Sequence, residues 1–284
     1  MSGKSSWLCR GVCAAVVCMS LVTVASADWD PGDPCKMSSP QLPNGSWDCG
    51  FYFKPQGHGM GNIPLADDWR CSESGPVSDI HFWYSWKDDV VADIESITIR
   101  IHDDAMFNPY SGPPEDGWSV PGAVRWESSF LPEDFSTRSY DTGAGRFFIP
   151  EDLYTWGTAA NPNHYNIYQC NIEDILNPFY QQEDHVYWLS ISVDIDPSAM
   201  WQSGDPSPAI GWHISSLMGG YESNAVYDRW GEWYQIVNPE GSISGDPYEF
   251  FPGPDLAFVI TPEPATLGLL ALGGVALIRR RRRA

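Results

Sequence analysis

Basic residues are scarce in the middle of this sequence. Of the 16 lysines and arginines in the 284-residue chain, two precede residue 28 and five lie at 279–283, which leaves nine within residues 28–261. The same stretch holds 36 of the 37 acidic residues, because only Glu263 lies outside it, and its formal charge is therefore −27. A surface of this sign repels phosphate groups, so the sequence argues against a nucleic-acid partner.

Familiar catalytic motifs are absent as well. The sequence contains no G-x-S-x-G, no H-E-x-x-H, no P-loop and no EF-hand pattern. Disorder is excluded on other grounds, since 43% of the residues are hydrophobic and 14% are aromatic. The sequence therefore predicts a folded body without a recognisable enzyme signature.

Long apolar runs are confined to the two ends of the chain. Lys4 and Arg10 precede apolar residues 11–25, and the small residues that follow predict a signal peptide over residues 1–27, cleaved between Ala27 and Asp28. The second run, residues 265–278, would span roughly 21 Å as a transmembrane helix, which is short for a hydrocarbon core of roughly 30 Å. The arginine cluster at 279–283 would hold that end in the cytoplasm.

The C-terminal segment combines three features in a characteristic order. Pro262-Glu263-Pro264 comes first, the apolar run follows, and the arginine cluster ends the segment. Residues 262–284 closely resemble the PEP-CTERM sorting signal of bacterial exported proteins. The resemblance implies an exosortase as partner, a membrane transpeptidase that cleaves near Pro-Glu-Pro and delivers the body to the cell surface or to extracellular polymer. The membrane is an expected partner only during sorting.

Cysteines are few in the expected mature chain. No two of them form a C-x-x-C unit and no histidine pair has zinc-site spacing, which disfavours a metal centre. An even number in an exported protein favours two disulfides, with three connectivities open. We predict the pairs Cys35–Cys49 and Cys71–Cys170.

Alternation of apolar and polar residues dominates residues 28–261 and predicts β-strands. Residues 80–86, 96–102 and 186–195 each place alternate side chains on two faces, and the first two are expected to be neighbouring strands. Only residues 172–177 suggest a helical turn. Many short strands among 26 glycines and 24 prolines predict an all-β fold, an antiparallel β-sandwich of jelly-roll type forming one domain.

Three segments of this body resemble a bacterial exported domain of unknown function that often carries the same sorting signal. They are residues 65–71, 75–86 and 255–261. The resemblance implies an all-β, extracytoplasmic domain and supplies no activity and no catalytic residues.

Tryptophan is abundant, with 13 of the 14 outside the signal peptide. Exposed rings stack on sugars, so we consider a glycan platform formed by Trp83, on the polar face of its strand, and by Trp118, Trp201 and Trp230 near loops. The alternative for each is core packing. The leading hypothesis is a non-enzymatic surface or matrix protein associated with extracellular polysaccharide. The alternatives are a polysaccharide hydrolase and a purely structural surface protein.

Two groups of aspartates are candidates for chemistry. Asp194 and Asp196 are two residues apart on a predicted strand, about 7 Å along one face, a spacing suited to a catalytic or calcium-binding pair. Asp28, Asp30 and Asp33 form a second possible calcium loop. Solvated carboxylates at a strand end and a mobile N-terminus are the respective alternatives, and no other cofactor is expected.

Overall fold

The computed structural model describes residues 28–43, 48–52, 64–106, 119–148, 162–196, 208–215, 223–229, 231–236 and 254–262. Trp29–Glu263 forms one unit, and Met1–Asp28 with Pro264–Ala284 forms a second, of which only Asp28 is described. Within the described residues, no helix has the length and apolar character needed to span a membrane. The predicted signal peptide and the predicted helix at 265–278 lie outside those residues.

Fourteen strands occur in the described part of the chain. In order they are β1 (Asp48–Tyr52), β2 (Leu65–Arg70), β3 (Gly75–Pro76), β4 (Asp79–Trp86), β5 (Ile94–Met106), β6 (Ser119–Phe130), β7 (Phe135–Phe148), β8 (His164–Ile172), β9 (Tyr180–Gln181), β10 (Val186–Ile195), β11 (Ile210–His213), β12 (Val226–Arg229), β13 (Glu232–Gln235) and β14 (Phe258–Thr261). A short 3-10 turn, Lys87–Asp89, follows β4.

The strands form two six-stranded sheets and one short ribbon. Sheet 1 has the order β11-β1-β7-β8-β4-β14, and sheet 2 has the order β13-β12-β2-β10-β5-β6; β3 pairs with β9. In sheet 1, β11 also pairs with β4, so five strands close into a ring, and β1 runs parallel to β7. The predicted all-β, mainly antiparallel class is confirmed. The closed ring and the parallel β1–β7 pair are features that the predicted antiparallel β-sandwich of jelly-roll type did not include.

The two sheets bury their facing side chains in one core. On sheet 2, Ile97, Ile99 and Ile101 lie opposite Val193, Ile191 and Leu189 in register, and all six are fully buried. Trp69 of this sheet packs edge-on against Phe258 of sheet 1, with ring centroids 6.0 Å apart. The alternation of β5 and β10 is therefore confirmed. The expected pairing of β4 with β5 is wrong, because these strands belong to different sheets.

Strand β4 is buried on both of its faces, which the sequence did not predict. The supposed polar face of His81, Trp83 and Ser85 is 2% exposed or less. Sheet 1 curls around this face, and Trp29 of the N-terminal segment packs edge-on against Trp83 at 6.0 Å. The carbonyl oxygen of Trp29 accepts a hydrogen bond from Gln169 Nε2 at 2.8 Å. The N-terminal segment is therefore anchored in the core rather than mobile.

The predicted helical turn at 172–177 is also wrong. Ile172 ends β8, and the following residues form an irregular connection in which Asp174 and Asn177 have φ of 51° and 56°. Aspartate and asparagine are the side chains that best tolerate this left-handed conformation, which is incompatible with an α-helix.

No disulfide is present among the described residues, and the pairs Cys35–Cys49 and Cys71–Cys170 stay predictions. Cys35, Cys71 and Cys170 carry free thiols, and the side chain of Cys49 lies outside the described residues. Cys71 directly follows β2 of sheet 2 and its Sγ donates to the Glu73 carbonyl at 3.1 Å, whereas Cys170 is buried in β8 of sheet 1. Cys35 Sγ donates to the carbonyl of Met37 at 3.5 Å. Each of these three thiols is held in its own surroundings, with Cys71 next to a strand of sheet 2 and Cys170 within a strand of sheet 1.

Candidate functional site

A cleft of about 600 Å³ opens where sheet 1 meets the beginning of β5 in sheet 2. This volume lies within the range of small-molecule and saccharide pockets. Strands β4, β5, β7 and β8 and their connections supply its wall, so the cleft exists only because distant parts of the chain are brought together by the two sheets. The lining residues are Tyr84, Trp86, Val91, Ala92, Asp93, Ile94, Glu95, Pro132, Phe135, Thr137, Tyr168 and Asp196.

Aromatic rings form the floor of the cleft. Tyr84 and Tyr168 are stacked, with centroids 5.5 Å apart and an interplanar angle of 20°, and Tyr84 meets the edge of Trp86 at 6.3 Å. Tyr84 and Trp86 are buried, whereas Tyr168 and Phe135 are partly exposed. The two partly exposed rings can therefore contact a ligand while the buried pair fixes the position of Tyr168.

Burial also controls the protonation of the two tyrosines. Desolvation raises the pKa of Tyr84 well above its usual value, with a smaller effect in the same direction from Cys170, and it raises the pKa of Tyr168 as well. Both phenols therefore remain neutral at physiological pH and can donate a hydrogen bond.

Carboxylates surround the aromatic floor. Asp93, Glu95 and Asp196 line the cleft, and the Asp196 amide donates to the Asp93 carbonyl at 3.0 Å. Asp194 does not line it; its Oδ2 accepts a hydrogen bond from Ser96 Oγ at 3.1 Å. The pairing register between β10 and β5 shifts at Asp194/Ile195, where the regular alternation assumed for the pair ends. The structure therefore places Asp196, but not Asp194, in the candidate site.

A second, more polar groove of about 640 Å³ lies beside the cleft. Both are lined by Phe135, and the turn between β6 and β7 separates them. Two hydrogen bonds between Leu131 and Asp134 hold the turn. The Leu131 amide donates to the Asp134 carboxylate at 2.9 Å, and the Asp134 amide donates to the Leu131 carbonyl at 2.8 Å. The groove is lined by Ser128, Ser129, Phe130, Glu133, Asp134, Phe135, Ser136, Asn171, Glu173, Asp174, Ile175 and Leu176.

Of the four tryptophans in the predicted glycan platform, the structure describes one, Trp83. Trp83 is fully buried against Trp29 and Tyr140, with the second ring 5.3 Å away, so it cannot stack on a sugar. Trp118, Trp201 and Trp230 lie outside the described residues. The partly exposed aromatic side chains at the cleft are instead a tyrosine and a phenylalanine, which tryptophan counting does not detect.

The N-terminal aspartates are engaged in local structure. Asp30 Oδ1 accepts a hydrogen bond from Arg138 at 2.6 Å, and the Asp30 amide donates to Asp33 Oδ2 at 3.0 Å. The guanidinium group of Arg138 thus already supplies a positive charge beside Asp30, where the prediction places a calcium ion. Among the described residues, no three acidic, histidine or cysteine side chains have a metal-binding arrangement. Asp28 lies in the other unit of the chain.

Two buried histidines lie apart from the cleft. His164 and His213 face each other edge-on with ring centroids 6.0 Å apart. Desolvation, and for His164 also the charge of His213, lowers their pKa values to about 3 and about 4. Both imidazoles are therefore neutral in the folded protein near neutral pH.

Two buried aspartates, Asp67 and Asp68, have pKa values that are raised, whereas those of the two histidines are lowered. Asp67 Oδ2 accepts the Leu256 amide at 2.6 Å, and its Oδ1 accepts the Asp68 amide at 3.0 Å. Desolvation, followed by the nearby Asp255 and Asp68, raises the pKa of Asp67 well above its usual value. Desolvation, followed by Asp255 and Asp104, does the same to Asp68.

The body ends where the sorting segment begins. Strand β14 pairs with β4 up to Thr261, whose side chain is buried, and Pro262 is the last described residue. Glu263, Pro264 and the apolar and arginine-rich residues beyond them lie outside the described residues, as does Ala27 at the other end.

Comparison with protein families gives two matches. Residues 261–283 match the PEP-CTERM protein-sorting motif, so the chain carries an exosortase-type sorting signal that directs it to the cell envelope or surface. Residues 37–261, most of the chain, match a domain of unknown function, DUF7901. No curated protein and no solved structure matches the chain. The body defined by the two sheets therefore belongs to the DUF7901 family.

Proposed function

We propose that this chain is a surface protein, released into the cell envelope or extracellular matrix by exosortase processing, whose cleft binds extracellular polysaccharide without cleaving it. The observation that carries the proposal is the ring arrangement of the cleft, in which partly exposed Tyr168 is backed by the stacked ring of Tyr84. Sugar rings place their C–H faces on aromatic rings, and a pre-positioned ring binds with little loss of conformational entropy. The cleft volume of about 600 Å³ suits a short stretch of polymer.

The end of the fold supports the sorting half of the proposal. Because β14 ends at Thr261, removal of residues 263–284 would leave every described strand in place. Prolines at 262 and 264 disfavour helix in the sequence between the body and the apolar run, and an extended segment there would suit access by a processing enzyme.

The first prediction concerns this processing. Protein recovered from the native envelope or medium should begin near Asp28 and end near Pro262, without the arginine cluster. Intact mass together with N- and C-terminal sequencing measures both ends. Surface protein that retains residues 279–283 would contradict exosortase processing and indicate a membrane-anchored protein.

The second prediction concerns the aromatic floor. Tyr168→Ala should weaken polysaccharide binding roughly fivefold, because it removes a partly exposed ring whose stacking on a sugar contributes on the order of 1 kcal/mol. The measurement is titration of the purified chain with those oligosaccharides that bind in a glycan-array screen, with thermal unfolding recorded in parallel.

Tyr165→Ala is the matched control for this prediction. Tyr165 lies on the same strand and is 52% exposed, but it does not line the cleft. Equal loss of binding in the two variants would contradict the assignment of the site. Release of reducing sugar that disappears in Asp196→Asn would replace the proposal by the hydrolase alternative, since Asp196 shares the cleft with two other carboxylates.

A further inference from the structure

The charges that line the cleft and the adjoining groove all have one sign. The cleft carries three carboxylates, and the groove carries four more, at Glu133, Asp134, Glu173 and Asp174. Neither set of lining residues includes a lysine or an arginine. Seven carboxylates on two neighbouring surfaces create a negative potential that would repel an acidic polysaccharide such as a uronic-acid polymer.

The two surfaces are close enough to act on one extended ligand. Phe135 lines both, and the β6–β7 turn with Glu133 stands between them. Asp93, Glu95 and Glu133 are exposed and form no ion pair with any described residue. Their negative charge is therefore available to a ligand rather than compensated within the described part of the body.

Apolar side chains stand among these carboxylates. Val91 at the cleft is 59% exposed, and Leu176 at the groove is 86% exposed. Together with Tyr168 and Phe135 they give a surface that alternates apolar contact area with negative charge. A matching ligand must offer apolar faces and positive charges at short intervals along a chain.

We propose that the cleft and groove together bind a polysaccharide that carries free amino groups, of the glucosamine-polymer class. This inference rests on the proposed function and specifies its ligand. Protonated amino groups of the polymer pair with the carboxylates, while the C–H faces of its sugar rings pack on Tyr168 and Phe135. Each exposed amine–carboxylate pair is weak and is screened by salt, but several pairs along one polymer act together.

The experiment compares three oligomers of equal length: glucosamine, N-acetylglucosamine and galacturonic acid. Titrations of the purified full chain at pH 6 and low salt should give at least tenfold tighter binding of the glucosamine oligomer than of the acetylated one, and no binding of the galacturonate. The preference should shrink as salt is raised. The double variant Glu95→Gln with Glu133→Gln should reduce the preference to within about threefold, because binding of the glucosamine oligomer weakens more than binding of the acetylated one.

A control variant separates the site from the overall charge of the body. Glu73→Gln with Glu183→Gln removes the same charge from two exposed glutamates that line neither surface, and it should retain the full preference. Loss of preference in the control as well would overturn the site.

Equal affinity for the glucosamine and N-acetylglucosamine oligomers would overturn this inference and leave the proposed function standing. Failure of both oligomers to bind, with no other glycan bound, would overturn both the inference and the proposed function. Binding of oligolysine with the same affinity and the same response to the variants would indicate a basic-peptide site instead.

Discussion

Replacement of Trp83 by alanine should lower the free energy of unfolding by about 3–5 kcal/mol, the usual cost of removing a large aromatic side chain from a core. Trp83 is fully buried between Trp29 and Tyr140, so its removal leaves a cavity and breaks two edge-to-face ring contacts. Urea unfolding followed by circular dichroism measures the change. A glycan-binding role for Trp83 would give the opposite pattern, a loss of binding with stability retained.

Trp83→Phe gives a graded comparison at the same position. No described residue accepts a hydrogen bond from Trp83 Nε1, so phenylalanine keeps part of the ring contact and removes an unsatisfied donor. It should therefore cost clearly less than alanine. A loss below about 1 kcal/mol for Trp83→Ala would be inconsistent with the buried position of this side chain.

Alternation predicted the strands well where only one of their faces is buried. In β5, Ile97, Ile99 and Ile101 point to the core, and Arg100 between them pairs with Glu127 at the surface. The same alternation in β4 led to the wrong prediction that one face of this strand contacts solvent. Both faces of a strand can be buried, even when its side chains alternate in polarity, if the sheet curls and another segment covers it. Trp83 and His81 show that the two-residue alternation along a strand determines which side chains share a face, but not which other residues pack on that face.

The candidate site could not be found from the sequence for a related reason. Its rings come from β4, β7 and β8, and its carboxylates come from the residues around Ile94, from the β6–β7 turn and from the end of β10. No local spacing links such segments. The sequence singled out Asp194 and Asp196 as a pair because acidic residues at i and i+2 share a strand face. Of the two, only Asp196 lines the cleft, and a register shift at Asp194/Ile195 ends the regular pairing of β10 with β5.

The largest pH effects should arise from the buried histidines and aspartates, and they have opposite signs. His164 and His213 have folded pKa values of about 3 and about 4, below the usual 6.5, so the unfolded chain takes up protons first as the pH falls. Their contribution to stability is complete above pH 6.5 and is lost towards the folded values, by about 2 kcal/mol for each histidine at pH 5. The aspartates Asp67 and Asp68 have raised pKa values, so their contribution is complete below about pH 3.8 and is lost as the pH rises towards the folded values.

Two variants separate these opposing slopes. Replacement of both histidines by phenylalanine removes their share of the pH dependence and leaves that of Asp67, Asp68 and the buried His102, whose pKa is also lowered by desolvation. The free energy of unfolding should therefore be lost less steeply than in the unaltered chain, or gained, as the pH is lowered from 7 to 5. With Asp68→Asn, the histidines dominate, and it should fall over the same range more steeply than in the unaltered chain. Urea unfolding at pH 5, 6 and 7 measures the slopes, in a window where ordinary surface carboxylates stay ionised in both states. Identical slopes for the double histidine variant and the unaltered chain would show that the His164–His213 pair is not buried as a neutral unit, because only a difference in proton uptake between folded and unfolded states can produce the expected change.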